Sequence, residues 1–212
     1  MKSATLPVME PDGDANTSTD AETAPTGWEY TVLDYVRIEA ESQHIKHEFD
    51  DGQIRAMSGG TQEHARLGAA LMLQLGAQLR GKPCAVYTAD SRVRIAGLIT
   101  YPDISIGCNA IAMDSEDRFA QLNPCVLVEI TSKSSERYDR GKKRLRYQQI
   151  PTLREYVIVS QVEHAIDVYT RSEDGAWSDA ITYRAGSRAL IPSLGLEIDI
   201  DDLYMDPRKP RD

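Results

Sequence analysis

Cysteine is scarce in this chain, and its spacing excludes more than its number does. Cys84, Cys108 and Cys125 are the three present, and no two of them form a CxxC pair. That spacing suggests neither a disulfide framework nor a structural zinc site, and a reducing cytoplasm is the simplest compartment. No run of about 18 apolar residues occurs, so no membrane span is expected. The N-terminus lacks the basic-then-apolar order of a secretory signal. Aromatic residues amount to 7%, with no obvious platform of the kind a sugar-cleaving carboxylate pair works beside. No internal repeat is visible.

What is present describes one ordinary domain with tails. Charged residues make up 27% and hydrophobic residues 41% of 212. The net charge of −9 argues against a nucleic-acid partner, which usually meets a basic footprint. The charge is unevenly placed, however. Residues 1–26 hold one lysine against five acidic residues, a net charge of −4, with no apolar period. Such a segment cannot bury enough surface to offset its ordering entropy, so a disordered acidic tail is expected there. Between Lys133 and Arg146 seven cationic residues face only Glu136 and Asp139, a net charge of +5. On its own, that stretch reads as a solvated helix face. Residues 27–205 are expected to form the folded domain, and residues 206–212 a frayed end.

Within the domain, Thr31 is placed to cap a helix reaching about Glu41. Residues 47–57 carry Asp51-Gly52 between two short segments, a strong hairpin signal. Thr61 can cap a helix in which Leu67, Leu71, Leu75 and Leu79 recur every fourth residue, with Gly81 placed to stop it. Strands are expected at 84–89, 91–95, 101–106 and 125–130. A polar connection spans 107–121, and a helix runs from Ser134 and Ser135 to near Gln149. Strands follow at 156–159 and 165–169, and Gly175 with residues 177–183 suggests a last hairpin arm. The order predicts a mixed α/β or α+β domain around one sheet.

Two carboxylates stand out. Glu129 lies inside Val126-Leu127-Val128-Glu129-Ile130, where a charge is costly unless paired, hydrogen-bonded or bound to metal. Asp103 lies in Tyr101-Pro102-Asp103-Ile104-Ser105-Ile106. Alone, Glu129 reads as a strand-end residue reaching solvent and Asp103 as a turn or capping residue. Together on neighbouring strands they would raise each other's pKa unless a cation is shared. Hard oxygen ligands suit Mg²⁺ or Mn²⁺. A cationic group is wanted beside them. Lys143 on the following helix is the choice, with Lys133 and Lys142 as competitors. Tyr138 and Tyr147 read as core contacts. His44, His47 and Glu48 have helical metal-cluster spacing, but a strand there sends His47 and Glu48 to opposite faces.

These residues carry a resemblance. Pro-Asp on one strand, followed by a hydrophobic strand bearing Glu, resembles the PD-(D/E)XK nuclease superfamily, and more specifically its Uma-type restriction-endonuclease family. The matching stretches are Glu48–Gly52, Tyr101–Ile106, Leu127–Ser132, Tyr138–Lys143 with Tyr147, Ile150–Tyr156 and Asp201–Tyr204. They span about residues 28–205. Each is weak alone, and their order and spacing make the match fairly specific. The resemblance implies a central mixed β-sheet flanked by helices, and a divalent ion held by Asp103 and Glu129. It also implies Glu48 as an auxiliary acid and His64 at a position where the family often has histidine. The chain departs from the superfamily at Thr131, where a (D/E)XK lysine would stand. Lys143 matches the recurring helix lysine of the Uma-type family.

The leading expectation is therefore a Mg²⁺- or Mn²⁺-dependent endonuclease cutting DNA. Asp103, Glu129 and Lys143 would be catalytic, Glu48 and His64 would assist, and Arg140, Lys142 and Arg144 would guide the phosphate backbone. A homodimer would pair two sites. The competing reading is a nuclease-like fold that binds nucleic acid or protein without cutting. A metal-free glycosidase ranks third.

Overall fold

The computed structural model describes residues 29–42, 44–57, 59–206 and 208. The acidic segment 1–26 and most of 206–212 lie outside them. In chain order, helix α1 (Val32–Glu41) is followed by strands β1 (His47–Asp50) and β2 (Gln53–Ala56), then by helix α2 (Gln62–Leu79). Next come β3 (Cys84–Thr88), β4 (Arg92–Ile95), β5 (Leu98–Thr100), β6 (Ile104–Cys108), β7 (Ala120–Gln121) and β8 (Pro124–Thr131). A helical segment then runs through α3 (Glu136–Tyr138), a π-helical turn (Asp139–Lys143) and α4 (Arg144–Tyr147). The chain ends with β9 (Glu155–Ser160), β10 (Ala165–Thr170), β11 (Ile181–Arg184), β12 (Arg188–Ile191), β13 (Leu196–Asp199) and α5 (Ile200–Tyr204).

The local signals act as expected where they are strongest. Thr31 and Asp34 form a reciprocal capping box at the start of α1. Asp51 and Gly52 both adopt positive φ, 46° and 85°, which suits the tight turn joining β1 to β2. Thr61 Oγ1 accepts the His64 amide and caps α2. The four leucines of α2 are at most 4% exposed and form one stripe.

Six strands make a mixed sheet in the order β11-β10-β9-β8-β6-β3, with β8 and β9 parallel and the other pairs antiparallel. Five make a second sheet, β2-β1-β5-β4-β7. The α2 leucines, the β12–β13 hairpin and α5 pack on one face of the large sheet, against Val126, Val128 and Ile130 of β8. On the other face Leu127, Tyr156 and Ile158 meet Val93, Ile95 and Leu98 of the second sheet, together with Tyr147, Ile150 and Leu153. Helix α1 covers the outer side of the second sheet through Tyr35, Phe49 and Ile99.

The structure corrects the sequence reading in four places. There are two main sheets rather than one, because β5 allows β1 and β4 to pair through it. The strand expected at 101–106 begins only at Ile104, and Asp103 lies in the bend before it. The last hairpin, β12–β13, and α5 were not among the expected elements. Finally, Cys84 and Cys108 form a disulfide. They are 24 positions apart, and the antiparallel register of β3 and β6 sets them face to face. Cysteine spacing along the chain carries no trace of that register.

The α2 stripe makes a direct stability prediction. Leu71 is fully buried, and Leu71→Ala should cost about 2–5 kcal/mol. Denaturant unfolding will measure it. Leu73 on the same helix is 75% exposed, and Leu73→Ala should change stability by less than about 0.5 kcal/mol.

Candidate active site

The site is set by strand register. Ile104 of β6 pairs with Val128 of β8, so Asp103, one residue earlier, falls across from Glu129. The backbone pairing of β6 with β8 starts at Ile104, and just before it the Asp103 side chain accepts a β8 amide. Its Oδ2 accepts the Ile130 amide at 2.7 Å. Its Oδ1 lies 3.1 Å from Nε2 of His64 in the first turn of α2. Alternation along β8 sends Val126, Val128 and Ile130 toward α2 and turns Glu129 to the face of Leu127. There Glu129 Oε1 accepts the Tyr147 hydroxyl at 2.7 Å and sits 2.8 Å from Lys143 Nζ. The second sheet adds Glu48, whose Oε1 is 3.7 Å from the same ammonium and accepts the Thr100 hydroxyl.

Helical spacing brings a fourth acid. Asp139, Lys143 and Tyr147 are four residues apart and all are buried. They line the inner face of a segment whose centre is a π-turn, an irregularity common at functional sites. The Asp139 amide donates to the Ser135 carbonyl at 3.0 Å. The Tyr156 hydroxyl donates to the Asp139 carbonyl at 3.1 Å, holding the turn against β9.

The electrostatics follow from crowding three carboxylates around one ammonium, with Asp103 close enough to act on Glu129. Burial pushes Glu129 up to about 8; Lys143 pulls it back, and the charges of Asp103 and Asp139 push it further up. Burial likewise raises the Asp139 carboxyl. Burial works against the Lys143 charge, but Glu129, Glu48 and Asp139 outweigh it and hold the lysine protonated. The hydrogen bond to Asp103 raises His64. Burial, reinforced by Glu129, holds Tyr147 as a neutral donor.

The family model Uma2, described as "Putative restriction endonuclease", matches residues 32–202. The chain belongs to the Uma2 family. It is 36% identical over 169 residues to the uncharacterized protein slr1290 of Synechocystis sp., covering 77% of this chain and 86% of that one. It is 26% identical over 149 residues to sll1609 of the same organism, covering 69% and 84%. A crystal structure from Anabaena variabilis, described as "a putative nuclease belonging to DUF820", superposes with a TM-score of 0.62 at 16% identity. That match covers 74% of this chain and 89% of the other and shows a shared fold. The mixed-sheet architecture implied by the resemblance is the one found.

In this Uma2 protein, Asp103, Glu129, Lys143, Glu48 and His64 converge from five separate segments. Thr131, at the superfamily's lysine position, is buried on β8, and Lys143 reaches Glu129 from the helix. His47 turns away from Glu48 and pairs with Glu39 of α1 at 2.9 Å, as strand alternation requires. The basic stretch is largely answered within the protein. Arg140 pairs with Glu136 and Asp167, Lys142 with Asp50, and Arg146 with Asp50 and Asp51. The Arg144 guanidinium lies 4.9 Å from the centre of the Tyr169 ring. Lys133 is exposed on the loop entering the helix. Sequence reasoning missed Asp139 altogether and took Tyr147 for a core contact alone. Their four-residue spacing from Lys143 was the available signal.

The raised Glu129 pKa fixes the sign of a pH effect. The folded state holds this proton more tightly than the unfolded chain, so the contribution is full below about pH 4.5. It is lost as pH rises through about 8. In metal-free buffer, the wild-type urea midpoint should decline between pH 5 and 8 relative to Glu129→Gln. The two curves should run parallel above that range. A constant difference across it would contradict the assignment.

Proposed function

We propose that this protein is a divalent-metal-dependent nuclease that hydrolyses DNA phosphodiester bonds at Asp103 and Glu129. The observation that carries the reading is a carboxylate cluster in which Glu129, Glu48 and Asp139 surround the buried Lys143 ammonium and Asp103 lies across the strand pair from Glu129. That arrangement leaves an excess of hard anionic oxygen, which a divalent cation neutralises. The donor set fits Mg²⁺ or Mn²⁺. Among the described residues no three His, Cys, Asp or Glu side chains enclose an ion by themselves. Mg²⁺ commonly uses one or two carboxylates and keeps its remaining waters.

Asp103 and Glu129 would hold the ion. Glu129 Oε1 is taken by Tyr147 and Lys143, which leaves Oε2 for this role. A bound ion would polarise a phosphoryl oxygen and make its water a better nucleophile. Lys143, kept charged by its acid neighbours, steadies negative charge on the nucleophile or the phosphate. Glu48 holds that ammonium from the opposite sheet, Tyr147 orients Glu129, and His64 orients Asp103. Arg140, Lys142 and Arg144 would reach a DNA backbone by exchanging their present partners for phosphate, with Lys133 beside them. A symmetric pair of chains would supply the two sites for double-strand cleavage. The internal pairing of the basic stretch favours one alternative, a Uma2 module that binds without cutting.

Plasmid and single-stranded DNA cleavage with Mg²⁺ or Mn²⁺ tests the reading. Activity should vanish with a chelator and fall by about 100-fold or more in Asp103→Ala, Glu129→Ala and Lys143→Met. Thermal unfolding should confirm that each variant is folded. Undiminished cleavage by the two carboxylate variants would reject the site. Chelator-insensitive binding with no cleavage would establish the module instead.

A further inference from the structure

At the opposite ends of β6 and β8 from Asp103 and Glu129, the three cysteines meet. Cys84 opens β3, the outermost strand of the large sheet, and is disulfide-bonded to Cys108 at the end of β6. Cys125, near the start of β8, carries a free thiol whose Sγ lies 3.3 Å from Cys108 Sγ. It sits where the β6–β8 register shifts between Ile106 and Gly107, and it donates to the Ile106 carbonyl at 3.0 Å. All three are half-buried, so solvent reaches the cluster. Three cysteines from three adjacent strands, one of them a thiol in contact with the disulfide of the other two, constitute the geometry of thiol–disulfide exchange.

We propose that Cys84, Cys108 and Cys125 form an internal exchange site in which Cys108 is the shared sulfur and its bond passes between Cys84 and Cys125. The Cys125 thiolate attacks Cys108 Sγ. A Cys108–Cys125 bond forms, the Cys84–Cys108 bond breaks, and Cys84 leaves as the thiolate that takes up the proton Cys125 gave up. One disulfide and one thiol exist before and after, so no oxidant or reductant is consumed. Burial pushes the Cys125 thiol up to about 11, and the Glu155 carboxylate on β9 adds to the shift. The thiolate is therefore sparse near neutrality and the exchange slow. The structural consequence lies at the sheet edge. In one isomer β3 is covalently tied to β6. In the other the bond joins β6 to β8 across the irregular pairing, and β3 keeps only its hydrogen bonds and its packing on α2. Glu129 is four residues along β8 from Cys125, roughly 13 Å of strand, so cysteine substitutions leave the carboxylate site intact.

Differential alkylation of the full wild-type chain tests this without any substitution. The protein is held at pH 8 without reductant, quenched with N-ethylmaleimide at intervals and mapped by peptide mass spectrometry. Label should appear on Cys84 as well as Cys125, rising to a plateau together with a Cys108–Cys125 linked peptide. The rate should be unchanged on dilution. Label confined to Cys125 at all times, or a rate that scales with protein concentration, would overturn the proposal. As a second measurement, Cys84→Ser treated with oxidised glutathione should form the Cys108–Cys125 bond. Two free or glutathionylated thiols in that variant, with a wild-type circular dichroism spectrum, would also overturn it. In the exchanged isomer, amide hydrogen exchange should rise in β3 and not in β9.

Discussion

The Lys143 ammonium is the charge around which the two sheets and the helix after β8 are arranged. An ion in the interior costs several kcal/mol unless partners replace its water. Here the partners come from different layers: Glu129 from the large sheet, Glu48 from the second sheet, and Asp139 from the lysine's own helix. Only the Asp139 contact is available within the isolated helical segment. The lysine can be buried only when β1, β8 and the helical segment are all in place, and each carboxylate is tolerable there largely because the lysine is. The Tyr147 and Thr100 hydroxyls share those carboxylates, donating to the same oxygens of Glu129 and Glu48 that the ammonium faces. The acids around this ammonium outnumber the base.

That excess gives the family membership its physical content. A Uma2 chain without a lysine two residues after its strand glutamate still places an ammonium 2.8 Å from that glutamate. That ammonium comes from the helix rather than from the strand. Thr131 lies on the same face of β8 as Glu129, so the vacated direction is the one from which Lys143 enters. The surface basic stretch also makes ion pairs within the protein. Arg140, Lys142 and Arg146 fasten the helical segment to β10 and to the β1–β2 hairpin, and so help hold Lys143 at its depth.

The same two strands hold carboxylates toward one end and cysteines at the other. β6 is preceded by Asp103 and ends at Cys108; β8 begins near Cys125 and later bears Glu129. Between the ends lie Ile104, Ile106, Val126 and Val128, all nearly inaccessible, which keeps the carboxylate cluster and the sulfur cluster apart while fixing both in one rigid frame.

Much of this was legible in the chain. The capping threonines, the Asp51-Gly52 turn, the leucine stripe of α2 and the buried run of β8 are local patterns, and local sterics and hydrogen bonding dictate them. A charge inside an apolar strand was equally readable, because burial without a partner is unaffordable whatever the fold. Pairing was not readable. The second sheet depends on β5, three residues long, whose partners are about 50 positions away in β1. The disulfide depends on the register of β3 against β6, and the inward face of the helix depends on a π-turn that propensity does not announce. The sequence by itself determined which residues needed partners: Glu129, Asp103 and a nearby cation. Only the tertiary structure decided that Lys143, Glu48, Asp139 and Tyr147 would be those partners. Long-range register and helix phase set distances between side chains, and neither is encoded in spacing along the chain.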